Sequence, residues 1–253
     1  MIRAVLFDYG HTLVDFTVPE DALHEVYAGI RERLVREAKM ELPEAVELVD
    51  LVARGVTRRV DESYASDRLV ELDIIELFTD SLRGLGFMPE PETVRWVAET
   101  EHEALTAHLV VPEDSLETLA QLKEMGLSIG IISNAHLLPY MMRRDWQNLG
   151  IAQHVDGAII SSEIGIRKPH PEIFRRALLE LAVEPEDAVF VGDRLLDDVG
   201  GAHAVGMSAI LTQQFRQETV EPDGPQPDFV VSHLLEMMEF VRRLHSPAVS
   251  LNG

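Results

Sequence analysis

The chain contains no cysteine, which excludes disulfides, thiolate metal sites and cysteine nucleophiles. Lysine is nearly absent as well. Lys39, Lys123 and Lys168 stand alone among 22 basic residues, the rest being arginine, so a lysine at a functional position is easy to notice. No apolar run approaches the roughly 20 residues that a bilayer crossing requires. The chain passes from Met1 straight into Ile2-Arg3-Ala4-Val5, without the basic segment, apolar stretch and cleavage site of a signal peptide. A cytoplasmic protein with no membrane partner is the expectation.

What is present is an ordinary globular composition: 253 residues, 46% hydrophobic, with a mean hydropathy of +0.00. That length allows one large domain or two small ones with a well-buried core. The formal charge of −22 argues against nucleic acid as a partner, because a polyanion meets repulsion over most of the surface. Phosphate chemistry in such a protein needs a site that reverses the local potential. A bound divalent cation and a few placed cationic side chains can do this.

Short β-rich apolar runs occur at Ala4 to Phe7, Ser128 to Ile132, Gly157 to Ile160, Ala188 to Val191, Ala209 to Thr212 and Phe229 to Val231. Amphipathic helical stretches such as Ser115 to Met125 and Glu172 to Leu181 separate most of the later runs. This alternation predicts a parallel sheet with helices on both faces. The first run is followed instead by a strand-free stretch from about 16 to 109. Four helix-like segments begin there near Pro19, Pro43, Val70 and Pro91, with apolar residues at three-and-four spacing. The predicted fold is a three-layer, Rossmann-like α/β core from residues 1–15 and 110–253 with an all-helical cap, 16–109, inserted. Thr219 to Pro227 reads as a surface loop and Ser246 to Gly253 as a loose tail.

Open parallel sheets bind ligands at the carboxyl ends of their strands. Asp8 follows the first run, Ser133 and Asn134 the second, Lys168 lies beyond the third, and Asp193 follows the fourth, with Asp197 and Asp198 close behind. The set offers a carboxylate nucleophile, a hydroxyl and an amide for an anion, a lysine, and acidic oxygens suited to Mg2+. A carboxylate that attacks phosphorus splits one difficult displacement into two easier ones. Lysine screens the negative charge gathered around it.

The strings FDYGHTL, IISNAH, KPHPEIF and FVGDRLLDDVGGAHAVGM resemble, in order and spacing, the motifs of the haloacid dehalogenase superfamily. The helical insertion directly after the first motif is similar to the cap of its first subclass. The resemblance implies a hydrolase, most simply a phosphatase of a small phosphorylated metabolite that works through an aspartyl phosphate. It implies Asp8 as nucleophile, with Asp8, the carbonyl of Gly10 and Asp193 holding Mg2+. Ser133 and Asn134 would bind the phosphoryl group, Lys168 would neutralise charge, and Thr12, Asp197 and Asp198 would support the metal from behind its direct ligands.

One position departs from the pattern. Phosphatases of the superfamily carry a second aspartate two residues after the nucleophile to move protons, and here Gly10 stands there. General acid–base catalysis is worth about 10²- to 10⁴-fold. His11 has the right chemistry to replace it, but neighbouring side chains on an extended strand end point to opposite sides. Two other readings follow from Gly10: a phosphate-binding module without turnover, and a phosphonate or carbon–halogen hydrolase. The phosphonate reading needs a desolvated amine, for which Lys39 is the cap's one lysine. The dehalogenase reading sits poorly with the acidic metal motif. Arg167 and Arg194 read as rim charges, and His136 and His170 as surface loop residues. The substrate and the choice between monomer and homodimer stay open.

Overall fold

The structure, a computed structural model, describes residues 1–16 and 20–245; the tail expected at Ser246 to Gly253 lies outside them. In chain order come β1 (Ala4–Phe7), a tight turn and the short β2 (Asp15–Phe16), then α1 (Glu20–Ala38) and α2 (Ala45–Leu48). A π-type turn, Val49–Ala53, joins α2 to α3 (Arg54–Tyr64), followed by α4 (Ile74–Gly84) and α5 (Pro91–Thr106). Next are β3 (Leu109–Val110), which pairs with β2, then α6 (Glu113–Glu124), β4 (Ser128–Ser133) and α7 (Pro139–Asn148). The remainder is β5 (Gly157–Ile160), α8 (Ser161–Ile164), α9 (Pro171–Glu180), β6 (Ala188–Gly192), α10 (Gly201–His203), β7 (Ser208–Thr212), β8 (Phe229–Val231) and α11 (Met237–His245).

Every predicted strand is present. They form one six-stranded sheet in the order β5-β4-β1-β6-β7-β8, and every adjacent pair is parallel. All four residues of β1 are buried, as are all five of β6. This is why both strands read as unbroken apolar runs rather than alternating ones. On one face Leu6, Ile132, Phe174 and Phe190 belong to a common cluster, where the two phenyl rings meet edge-on at 5.2 Å. Burying a side chain of that size is worth about 1.5–3 kcal/mol. The order of connection reverses at β1, with β4 on one side and β6 on the other. That switch point, at the carboxyl ends of these strands, is where an open α/β sheet leaves room for a ligand.

Local signals explain the helix boundaries. Asp73 caps α4, its carboxylate accepting from the Ile75 N–H at 2.7 Å. Pro91 opens α5, where a missing N–H is tolerated. Gly126, at φ +76°, ends the turn after α6. Thr219 to Pro227 has no regular structure. Among the described residues no helix is long and apolar enough to cross a membrane.

The chain divides into two compact units. The α/β unit comprises Met1–Asp15, Val111–Ala135 and the described residues from Trp146 on. The helical unit comprises Phe16–Val110 together with His136–Asp145. The sequence left this last segment with the α/β part. It joins the helices because the first turns of α7 spend their polar groups there: Tyr140 donates to Glu99, Arg144 to Glu103 at 2.9 Å, and Asp145 meets His102. Leu138 also packs on the helical core of Tyr27, Leu34, Leu48 and Phe78.

Candidate active site

Asp8 leaves β1 with its N–H donating to Val191 O on β6 at 2.8 Å, and it is 8% exposed. The chain then doubles back: Leu13 N donates to Tyr9 O at 2.9 Å, and His11 N to Val14 O at 2.7 Å. His11 sits at φ +58°. The extended geometry expected at this point is therefore replaced by a left-handed turn, and strand alternation says nothing about its side chain. Its Nδ1 lies 3.1 Å from Asp15 Oδ1. Thr12 is fully buried, and its hydroxyl has no hydrogen-bond partner among the described residues.

At the end of β4, Ser133 is buried. Asn134, expected to face a phosphoryl group, instead holds the backbone of Lys168. Lys168 N donates to Asn134 Oδ1 at 2.7 Å, and Asn134 Nδ2 donates to Lys168 O at 3.1 Å. The primary amide matches the donor and acceptor of one residue's backbone, which fixes where the lysine starts. The Lys168–Pro169 peptide is cis.

Lys168 Nζ donates to Asp8 Oδ1 at 2.6 Å and to Asp198 Oδ1 at 2.7 Å, with the Phe190 ring centroid 5.2 Å away. Burial pulls its pKa down, but the Asp198 and Asp8 carboxylates more than offset this and raise it, so the amine stays charged. Asp198, expected to support the site from behind, is a direct partner of the lysine. Its other oxygen accepts from Arg194 N at 2.9 Å. Gly192 makes that approach feasible: a Cβ there would stand 2.3 Å from the Asp198 carboxyl carbon. Asp197 is half-buried and lies outside the oxygen cluster.

Carboxylate oxygens of Asp8, Asp193 and Asp198 all lie within 4.8 Å of one another. Burial, and then the charges of Asp8 and Asp198, push Asp193 up to about 8. Burial, and then the nearby Asp8 carboxylate against the lowering effect of Lys168, push Asp198 up to about 6. Oxygen-only donors crowded to this degree suit a hard divalent cation such as Mg2+. They do not suit a soft metal that selects sulfur.

A sequence reading that stops at the fourth strand misses two residues. Arg216 Nη1 donates to Asp193 Oδ2 at 2.7 Å. Glu218 accepts from Leu195 N at 2.6 Å and lies 3.4 Å from Arg194. Both follow β7, so the strand-end rule applied once more leads to them. Arg167, read as a rim charge, is buried, whereas Arg194 is exposed. His170 caps α9, its Nδ1 accepting from Glu172 N at 3.1 Å. His136 is part-buried, and burial lowers its pKa. Lys39 is exposed, and so lacks the desolvation that an imine-forming amine needs.

The family description of haloacid dehalogenase-like hydrolases matches residues 2–206. The chain belongs to that family. Among curated relatives, a glyceraldehyde 3-phosphate phosphatase of Methanopyrus kandleri is 33% identical over 252 residues, spanning 96% of this chain and 99% of the relative. A phosphoserine phosphatase of Thermus thermophilus is 33% identical over 163 residues, 64% of this chain and 62% of the relative. Among solved structures, a 2-haloacid dehalogenase of Pseudomonas syringae pv. Tomato DC3000 superposes with a TM-score of 0.68 at 24% identity, covering 96% and 99% of the two chains. That last likeness speaks for the shared fold only. Within the family's α/β frame, this chain keeps its buried acids and its lysine together at the switch point of the sheet.

Proposed function

We propose that this haloacid dehalogenase-like hydrolase is a Mg2+-dependent phosphatase of a small phosphorylated metabolite, with Asp8 as nucleophile. One observation carries the reading: three carboxylates within 4.8 Å, buried, with Lys168 tying two of them together. Relatives named as phosphatases of small phosphate esters support the substrate class. The helical unit is assigned the role of cap because its segment enters the chain directly after the Asp8 strand.

In this reading an Asp8 oxygen attacks phosphorus and the bond to the leaving oxygen breaks. An aspartyl phosphate results, which water then cleaves to restore the carboxylate. Ser133 holds a phosphoryl oxygen through its hydroxyl. Lys168, charged and anchored by Asp198, offsets the negative charge gathered at Asp8. Asp8, Asp193 and the carbonyl of Gly10 would hold Mg2+, which supplies concentrated positive charge toward the phosphoryl oxygens. Thr12 and Asp197 support this set from its edge. For the proton transfers that Gly10 cannot perform, the candidate is His11, whose ring Asp15 orients.

Phosphate release from p-nitrophenyl phosphate, sugar phosphates and phosphoserine tests the proposal, with Mg2+ and with EDTA. Wild type should turn over at least one ester only with Mg2+, and Asp8→Asn should lose about 10³-fold or more. Equal rates for the two proteins would overturn the reading.

Gly10 motivates a second reading, a phosphate-binding module without turnover. Replacing Gly10 with Asp separates the two, because a module would then gain hydrolysis that wild type lacks.

A further inference from the structure

The phosphatase reading uses Lys168 but leaves a second cation at the acidic cluster without a role. Arg216 Nη1 lies 2.7 Å from Asp193 Oδ2, with Arg216 32% exposed and Asp193 buried. We propose that Arg216 sets the charge of the site, weakening its hold on the divalent cation and strengthening its hold on the phosphoryl dianion. The inference rests on the phosphatase reading.

In the fully ionised form that binds a divalent cation, three carboxylates share two cations, Lys168 and Arg216, which leaves one net negative charge before the cation is counted. A divalent cation turns that into one net positive charge, which welcomes a phosphate dianion. Without Arg216 the same site would be neutral with its cation bound, and doubly negative with phosphate added. Arg216 therefore acts on the two ligands with opposite sign. A residue that only held the loop in place would move both affinities the same way.

The loop has other anchors. Glu218 accepts from Leu195 N at 2.6 Å, Gln213 Nε2 donates to Glu218 O at 3.0 Å, and Gln214 Oε1 accepts from Leu234 N at 3.0 Å. Removing the guanidinium leaves these in place, so Arg216→Gln should keep the fold. Arg216→Lys keeps the charge.

The test is calorimetric and needs no turnover. Mg2+ is titrated into the metal-free protein, and inorganic phosphate into the protein saturated with Mg2+. At the dielectric of bulk water a unit charge several ångströms from a divalent ion changes its affinity by about five- to tenfold, which is the least expected here. Arg216→Gln should bind Mg2+ tighter by at least that factor and phosphate weaker by a similar one, while Arg216→Lys stays within about twofold of wild type for both. If both affinities weaken together, Arg216 is merely structural and the inference is overturned. If Mg2+ tightens and phosphate does not change, Arg216 only competes with the cation, and the inference is again overturned. A wild type that binds neither ligand overturns the phosphatase reading and this inference with it.

Discussion

The two units bury ionisable side chains in different ways. In the helical unit each buried acid has a dedicated partner. Tyr27 donates its hydroxyl to Glu101, and His102 Nε2 lies 2.7 Å from Asp145 Oδ2. In the α/β unit, Asp8, Asp193 and Asp198 share Lys168 and Arg216. A buried charge is tolerated when it is paired and hydrogen-bonded. Asp145 meets that condition with His102, and Glu101 has a hydrogen bond from Tyr27 that offsets part of the cost of its burial. The strand-end cluster meets it only in part, and the remainder is what a cation and substrate would use. The difference lies in whether a buried acid has its own partner or shares one with its neighbours.

The largest test of this contrast removes the shared lysine. Lys168→Met leaves Asp8 and Asp198 buried beside each other without their common cation. Breaking a buried pair in this way costs roughly 3–5 kcal/mol. Urea denaturation in EDTA should register that loss, and added Mg2+ should restore part of it, because the cation takes over the screening. A variant as stable as wild type in EDTA would mean that the cluster is balanced already and that the contrast fails.

A smaller effect probes the helical side. Burial raises Glu101 from its ordinary 4.5 to about 7, against the hydrogen bond from Tyr27 that lowers it. The folded state thus holds a proton more tightly than the unfolded chain. Its contribution to stability is fully present below pH 4.5 and is lost as pH rises through about 7. The full swing is roughly 3 kcal/mol at most. Asp193 and Asp198, also raised, give the α/β unit a slope of the same sign in the metal-free protein. Saturating Mg2+ should suppress that slope and leave the one from Glu101. Under that condition Glu101→Gln should match wild type near pH 4.5 and exceed it above pH 7. A slope equal in both proteins would show that Glu101 is not its source.

The candidate site was legible from the sequence wherever a polar residue follows directly on a buried strand. Asp8, Ser133 and Asp193 could be located because parallel strands covered on both faces leave unbroken apolar runs whose last residue is visible. Turns hid what lies beyond them. Strand alternation does not apply at His11, because a left-handed residue stands there. Arg216 and Glu218 occupy a loop with no motif: the strand-end rule leads to the loop after β7, and only spatial proximity picks these two residues out of it. Asn134 showed the right residue type and place, but its partner is a backbone 34 residues away. The His102–Asp145 pair bridges 43 residues between two helices, and neither neighbourhood hints at the other.

Two glycines give the mildest comparison. Gly29 lies exposed inside α1, where an added Cβ would meet nothing within 4 Å. Gly29→Ala should therefore stabilise the helical unit by about 0.5–1 kcal/mol, since alanine loses less backbone freedom on folding. Gly192 ends β6, and its added Cβ would strike the side chain of Asp198 at 2.3 Å. Overpacking of this kind costs about 1–3 kcal/mol. It should also push Asp198 off Lys168, so calorimetry of Gly192→Ala should find weaker Mg2+ binding as well. The same substitution thus carries opposite signs in the two units. If Gly192→Ala is neutral in both stability and Mg2+ affinity, the close approach of Asp198 to β6 is not what holds the lysine in place.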